Sequence, residues 1–225
     1  MKKRSIGILG VTGDPVHDGH VDAAEVALSD LGLSEVWFMP SPESTAKVGQ
    51  KKAPIEHRLH LTHLALLTSG RLGKTFKVSD FEVTFYELTG QNATADVLEQ
   101  FQKMYRSLQP VWLMGADNLC QIHEWGPRWK EIMMQYPVGV LAREGWNEKA
   151  LVSPAAKLFA DGRRAPKQFR SEPGTWSMVE VEHSASSTEI RADLQAGRKP
   201  RHISAEAYAY IKENGLYQKP VLAVQ

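Results

Sequence analysis

Along the chain, short apolar runs alternate with longer stretches in which apolar side chains recur every three or four positions. "SIGILGV" (5–11) is β-branched and leucine-containing, ends in a turn signal and predicts a strand buried on both faces. The following "HDGHVDAAEVALSDLG" places Val21, Ala24, Ala27, Leu28 and Leu31 on an approximate helical stripe that Gly32 stops. The unit then repeats. "EVWFM" predicts a strand, "PIEHRLHLTHLALLTSG" a helix with Pro54 at its first position and Gly70 past its end, and "FKVSDFEV" a third strand. Next come a helix in "TADVLEQFQKMYRSL", a strand running into a turn in "PVWLMGAD", a helix in "WKEIMMQYP" and a strand in "VGVLAR". Residues 144–175 read as a weak helix, "EKALVSPAAKLFADG", and a basic, proline-bearing loop, before "WSMVEVE" supplies the last strand. Two helices close the pattern, "STEIRADLQAG" and "SAEAYAYIKENG". Strands alternating with helices predict an α/β fold: a doubly wound parallel sheet, covered on both faces, with right-handed crossovers.

Composition narrows this only slightly. A chain of 225 residues can bury a real core and is read as one domain over 1–225. Hydrophobic residues at 42% and charged residues at 24% are those of an ordinary globular protein. A formal net charge of +1 gives no general attraction to nucleic acid or anionic membrane, so any anion site is local. One cysteine, Cys120, excludes an internal disulfide and a cysteine-rich zinc module, and suits a reducing compartment. No run approaches the roughly 20 apolar residues of a membrane span, and the apolar run after the basic start is shorter than a signal-peptide core. A cytoplasmic protein is expected.

The turn after the first strand, "GVTGDPVHDGH", faces the crevice where open parallel sheets bind ligands. Gly, Asp and Pro there also suit a plain turn and helix cap. A dinucleotide fingerprint is a second reading, but Gly10, Gly13 and Gly19 do not give G-x-G-x-x-G. The third reading takes His17 and His20 together. Three residues apart at the mouth of a helix, they project from one side of its first turn, beside N–H groups that favour an anion. Their imidazoles can donate to phosphate oxygens and, near an unperturbed pKa of about 6.5, can add positive charge. As a metal pair they lack a compelling third and fourth ligand.

Asp14, Pro15, His17, Gly19 and His20 form D-P-x-H-x-G-H, which resembles the phosphate motif of the nucleotidyltransferases and in particular the opening of bacterial nicotinate-nucleotide adenylyltransferases. Two later stretches narrow the resemblance. "SASSTEIRADLQAG" is similar to that family's second phosphate motif, with Ser186, Ser187, Thr188 and Arg191 in matching places. "VWLMGADNLCQIHEWGPRWKEI" is similar to its G-A-D-N-L stretch with two following tryptophans, and "HISAEAYAYIKENGLYQ" to its closing segment. Residue chemistry agrees: hydroxyls and N–H groups at a helix N-terminus beside a permanently charged guanidinium suit phosphate, although a capping box with a solvated arginine uses the same residues.

The resemblance implies a Rossmann-like sheet with a small helical C-terminal part at about 184–217. It implies transfer of AMP from ATP to nicotinate mononucleotide, with release of pyrophosphate, in NAD biosynthesis. His17, His20 and Arg191 are then the catalytic groups, acting on the phosphates. Gly10, Thr12, Gly13, Asp117, Ser187, Thr188 and Lys47 fall on the ATP side; Thr94 and Trp125 fall on the mononucleotide side, Trp125 as an aromatic platform, with Trp129 assigned to packing. Mg²⁺ is expected with ATP, without an all-protein metal cage. The partners are small molecules rather than nucleic acid or membrane, and a homo-oligomer is compatible with this reading. Departures from the family pattern are Val11 for its second glycine, Gly13 for phenylalanine, Ala93 for tyrosine, and Ser44 to Ala46 before the lysine. Val11 is expected to push the loop or narrow the site. The alternatives are a nucleotide-binding relative without turnover, or an adenylyltransferase for nicotinamide mononucleotide or phosphopantetheine.

Overall fold

Ile6 and Ile8 of the first apolar run join the core on one side of a sheet, while Leu9 and Val11 join the core on the other. The computed structural model describes residues 3–42, 52–143, 145–183 and 185–218. Among these, six strands form one sheet: β1 (Arg4–Val11), β2 (Glu35–Pro40), β3 (Phe76–Val78), β4 (Leu108–Gly115), β5 (Val138–Arg143) and β6 (Trp176–Val181). Their order is β3-β2-β1-β4-β5-β6, with every neighbouring pair parallel. The alternation seen in β1 persists outward. Trp112, Met114, Val138 and Val140 face one cluster; Val111, Leu113, Leu141 and Val179 face the other. Such strands need helices on both faces, which is why the runs are apolar at successive positions.

The helices are α1 (Asp18–Asp30), α2 (Ile55–Thr68), α3 (Phe81–Thr89), α4 (Thr94–Met104), α5 (Ala116–Gln121), α6 (Trp129–Gln135), α7 (Asn147–Leu151), α8 (Pro154–Leu158), α9 (Ser187–Gln195) and α10 (Ala205–Glu213). Val21, Ala24 and Ala27 of α1 are buried, as the stripe predicts. α10 packs on α2 through Ala207 and Ile211 against Leu61, and Tyr210 Oη lies 2.8 Å from His57 Nδ1. No helix among the described residues is long and apolar enough to cross a membrane.

Three local expectations are corrected. The strand expected through "FKVSDFEV" ends at Val78, and Phe81 begins α3. Phe81 packs edge-on against Phe101 of α4 at 5.2 Å, an anchor that a strand period would not provide. The turn expected after "PVWLMG" is the short helix α5, which starts directly at Ala116. The weak helix at 148–162 is two five-residue helices, because Ser153 caps the second: its Oγ accepts from Ala156 N at 3.2 Å, and Pro154 takes the first helical position.

Candidate active site

The order of the strands reverses between β1 and β4, and the chain leaves both strands on the same edge. In doubly wound sheets this is where a crevice opens. The turn after β1 is held from behind by Arg58 of α2, which is 2% exposed. Its guanidinium donates to the carbonyls of Thr12 (2.7 Å), Ser41 (2.6 Å), Pro42 (2.8 Å) and Ala53 (2.9 Å). Asp14, also buried, accepts from Ala53 N at 3.1 Å. Gly13 sits at φ +63°, a conformation that favours glycine, so the residue in place of the family's phenylalanine suits this backbone. Gly10 has a different reason: a Cβ there would lie 2.4 Å from the Trp112 ring, so side-chain packing alone demands glycine.

His17 and His20 sit with ring centroids 4.0 Å apart at the start of α1. His17 N donates to His20 Nδ1 across a long 3.4 Å, leaving His20 Nε2 to carry the proton and act as donor. His17 Nδ1 is buried without a hydrogen-bond partner. Burial, with His20, His183, Arg143 and His202 nearby, pushes the His17 pKa down to about 2. Burial, with Arg143 and His183, lowers that of His20 to about 4. Both are therefore neutral in the free site at pH 7, and the positive charge expected of them is supplied by Arg143 instead.

The second phosphate stretch reaches the same place. Ser187 Oγ donates to the Pro15 carbonyl at 3.1 Å, and Arg191 donates to the Asp14 carbonyl at 2.7 Å and to Thr188 Oγ1 at 3.2 Å. Residues more than 170 positions apart thus share one network. The N-cap Ser186 makes no side-chain cap, so the first N–H groups of α9 remain available to a ligand.

Two cavities meet at a wall formed by Thr12, His17, His20 and Arg143. The larger, about 330 Å³, is bordered by Gly10, Val11, Thr94, Asp117 and Trp125. The smaller, about 170 Å³, is lined by Thr12, Gly13, Lys52, Ser187, Thr188 and Arg191. All the sequence-predicted site residues are gathered here except Lys47, which lies with Ser44 to Ala46 outside the described residues. Trp129 packs edge-on against Phe159 at 5.9 Å. Val11 is 6% exposed and packs with Leu9 and Val16, so its β-branched side chain is accommodated by the core while bordering the larger cavity. Ala93 occupies the N-cap of α4 without a side-chain cap.

Sequence reasoning missed several residues. Arg143 ends β5 at the carboxyl edge, a position that could have flagged it. His183, just after β6, reaches Asp22 of α1 at 3.2 Å and accepts from Ala185 N at 2.8 Å. Glu82 and Lys52 gave no signal, one because its helix was read as a strand and the other because a lone lysine carries none. Among the described residues no group of three or more His, Cys, Asp or Glu is placed to hold a metal ion.

The cytidylyltransferase-like family model matches residues 8–193. A probable nicotinate-nucleotide adenylyltransferase of Ruegeria pomeroyi is 37% identical, over 83% of this chain and 85% of its own length. One from Cereibacter sphaeroides is 38% identical, over 83% and 96%. Among solved structures, the Plasmodium falciparum nicotinic acid mononucleotide adenylyltransferase complexed with NaAD superposes with a TM-score of 0.69, covering 95% of this chain and 97% of that one. At 16% identity that likeness shows the fold. The family match over most of the chain, together with relatives above 30% identity, shows that this chain belongs to the nicotinate-nucleotide adenylyltransferases of the cytidylyltransferase-like family.

Proposed function

We propose that the protein transfers AMP from ATP to nicotinate mononucleotide, yielding nicotinate adenine dinucleotide and pyrophosphate, and that residues 1–225 act as one nucleotidyltransferase unit. One observation carries the reading: two phosphate-type stretches from opposite ends of the chain close on a common wall between a cavity lined by cationic and hydroxyl donors and one bearing an aromatic platform. An oxygen of the mononucleotide phosphate attacks the α-phosphorus of ATP; a P–O bond forms there as the bond to the bridging oxygen breaks, and pyrophosphate departs with that electron pair. The attacking group is already an anion at neutral pH, so no protein base is required.

Catalysis then consists of alignment and charge neutralisation. His20 Nε2–H and His17 donate to the phosphoryl oxygens, and Arg143 adds a cation beside them. Arg191, Lys52 and the N-terminus of α9 take the distal phosphates, while Asp117 at the start of α5 serves the adenosine side. Trp125 and Thr94 hold the pyridine ring. The donors lining the smaller cavity are mainly imidazole, hydroxyl, ammonium and guanidinium, and Asp14 is already engaged with Ala53 and Arg191. These residues would suit Mg²⁺ carried in on the triphosphate, and the chemistry it would supply there is charge neutralisation.

The test is pyrophosphate release from ATP and Mg²⁺ with the purified protein, comparing nicotinate mononucleotide, nicotinamide mononucleotide and phosphopantetheine as acceptors. Fastest release with nicotinate mononucleotide is expected. ATP binding without release for any acceptor would refute the enzyme reading, and a preference for another acceptor would replace the substrate.

A further inference from the structure

Glu82 occupies the first turn of α3 and lines the larger cavity together with Ser41, Asn92, Thr94 and Trp125. It is 8% exposed, and no described residue donates a hydrogen bond to its carboxyl. The cation it senses is Arg58, whose guanidinium is already committed to four carbonyls. A buried carboxyl in such surroundings favours its uncharged form, and burial pushes this one up to about 7 despite Arg58. A group that acts chiefly as an acceptor thus borders a ligand cavity with no hydrogen-bond donor to it among the described residues.

Its place along the cavity narrows what it can meet. Through Arg58 it lies near the carbonyls of Thr12 and Ser41, at the carboxyl ends of β1 and β2. Its neighbour Phe81 packs on Phe101, two turns into α4 from Thr94. Glu82 thus shares this cavity with Thr94 at the α4 N-terminus and with Thr12 of the phosphate-binding turn. On the reading under Proposed function, the acceptor spans this cavity with its phosphate at His17 and Thr12 and its ring at Trp125 and Thr94. Above its pKa of about 7 the Glu82 carboxylate is charged and repels the phosphate and the pyridine carboxylate, which offer only acceptor oxygens. The donors that a nicotinate mononucleotide presents are its two ribose hydroxyls.

We propose that Glu82 is a specificity-determining residue that accepts hydrogen bonds from the ribose diol of the acceptor mononucleotide. Binding then provides hydroxyl donors to Glu82, and the enzyme distinguishes a ribonucleotide from a deoxy analogue on the acceptor side.

The test compares kcat/KM for nicotinate mononucleotide with its 2′-deoxy and 3′-deoxy analogues, in wild type, Glu82→Gln and Glu82→Ala. Wild type should lose at least ~10-fold on removal of one of the hydroxyls, as expected for a hydrogen bond to a charged group. Glu82→Ala should bring the ribonucleotide close to that reduced level and shrink the ribo/deoxy ratio toward one, with Glu82→Gln between, while the ratio of nicotinate to nicotinamide mononucleotide stays as in wild type. A wild type that uses ribo and deoxy acceptors equally overturns the proposal, however the variants fold. So does a Glu82→Ala enzyme that keeps the full ribo/deoxy ratio. Wild-type turnover combined with either result removes this inference alone; no turnover with any acceptor removes the proposed function and this inference with it.

Discussion

Burial and Arg143 leave His20 a neutral imidazole at pH 7, with its proton on Nε2 because Nδ1 accepts from His17 N. Its contribution is then one aimed N–H rather than a charge. Removing one donor to a transition state can cost 10²-fold or more. His20→Ala is expected to lower kcat by at least about tenfold with little change in Tm; steady-state rates beside a melting curve check this, and an unchanged kcat would refute the role. Trp125 is a different case, since a platform supplies mainly ground-state binding. Trp125→Ala should raise KM for the mononucleotide more than KM for ATP, and equal effects would mark it as packing. The positions of both residues were legible from the H-x-G-H spacing and the tryptophan stretch. The protonation of His20 is not, because it depends on burial and on Arg143 and His183, which fold in from the ends of β5 and β6.

Between elements, Arg58 joins what the strands leave separate. Its bonds tie the turn after β1, the end of β2 and the residue before α2 into one body behind the phosphate site. Leaving a buried carbonyl without its donor costs about 1–3 kcal/mol, and four lose theirs together, so a loss of several kcal/mol is the scale. Arg58→Met is expected to lose stability on that scale in urea unfolding, and a loss under about 1 kcal/mol would show that solvent readily replaces the clamp. Nothing in the helical stripe of α2 marks Arg58 as buried, since its partners are carbonyls remote in sequence. Strands and long helices, by contrast, follow from periodicity, which is a local property. The errors fall where elements are short. The start of α3 reads as strand because "FKVSDFEV" mixes β-branched and aromatic residues, and its helical state depends on Phe81 finding Phe101.

Across the whole molecule, buried titratable groups make stability depend on pH in two opposing ways. Folding lowers the pKa values of His17 and His20 from 6.5, to about 2 and about 4. Below pH 6.5 the unfolded chain binds protons that the folded chain refuses, so stability falls as pH drops from 6.5 toward 4. Glu82 has the opposite sign: its pKa rises from 4.5 to about 7 on folding. Between those values the folded chain keeps a proton that the unfolded chain has released, so this carboxyl removes stability as pH rises from 4.5 to about 7. Glu82→Gln abolishes that second dependence and leaves the first. The Tm difference between variant and wild type should therefore become more favourable to the variant from pH 5 to pH 8 and level off above about 7, measured by calorimetry without ligand. A difference that stays flat over that range would mean that Glu82 titrates as it would in water, and would remove the buried, unpartnered carboxyl on which ribose recognition rests.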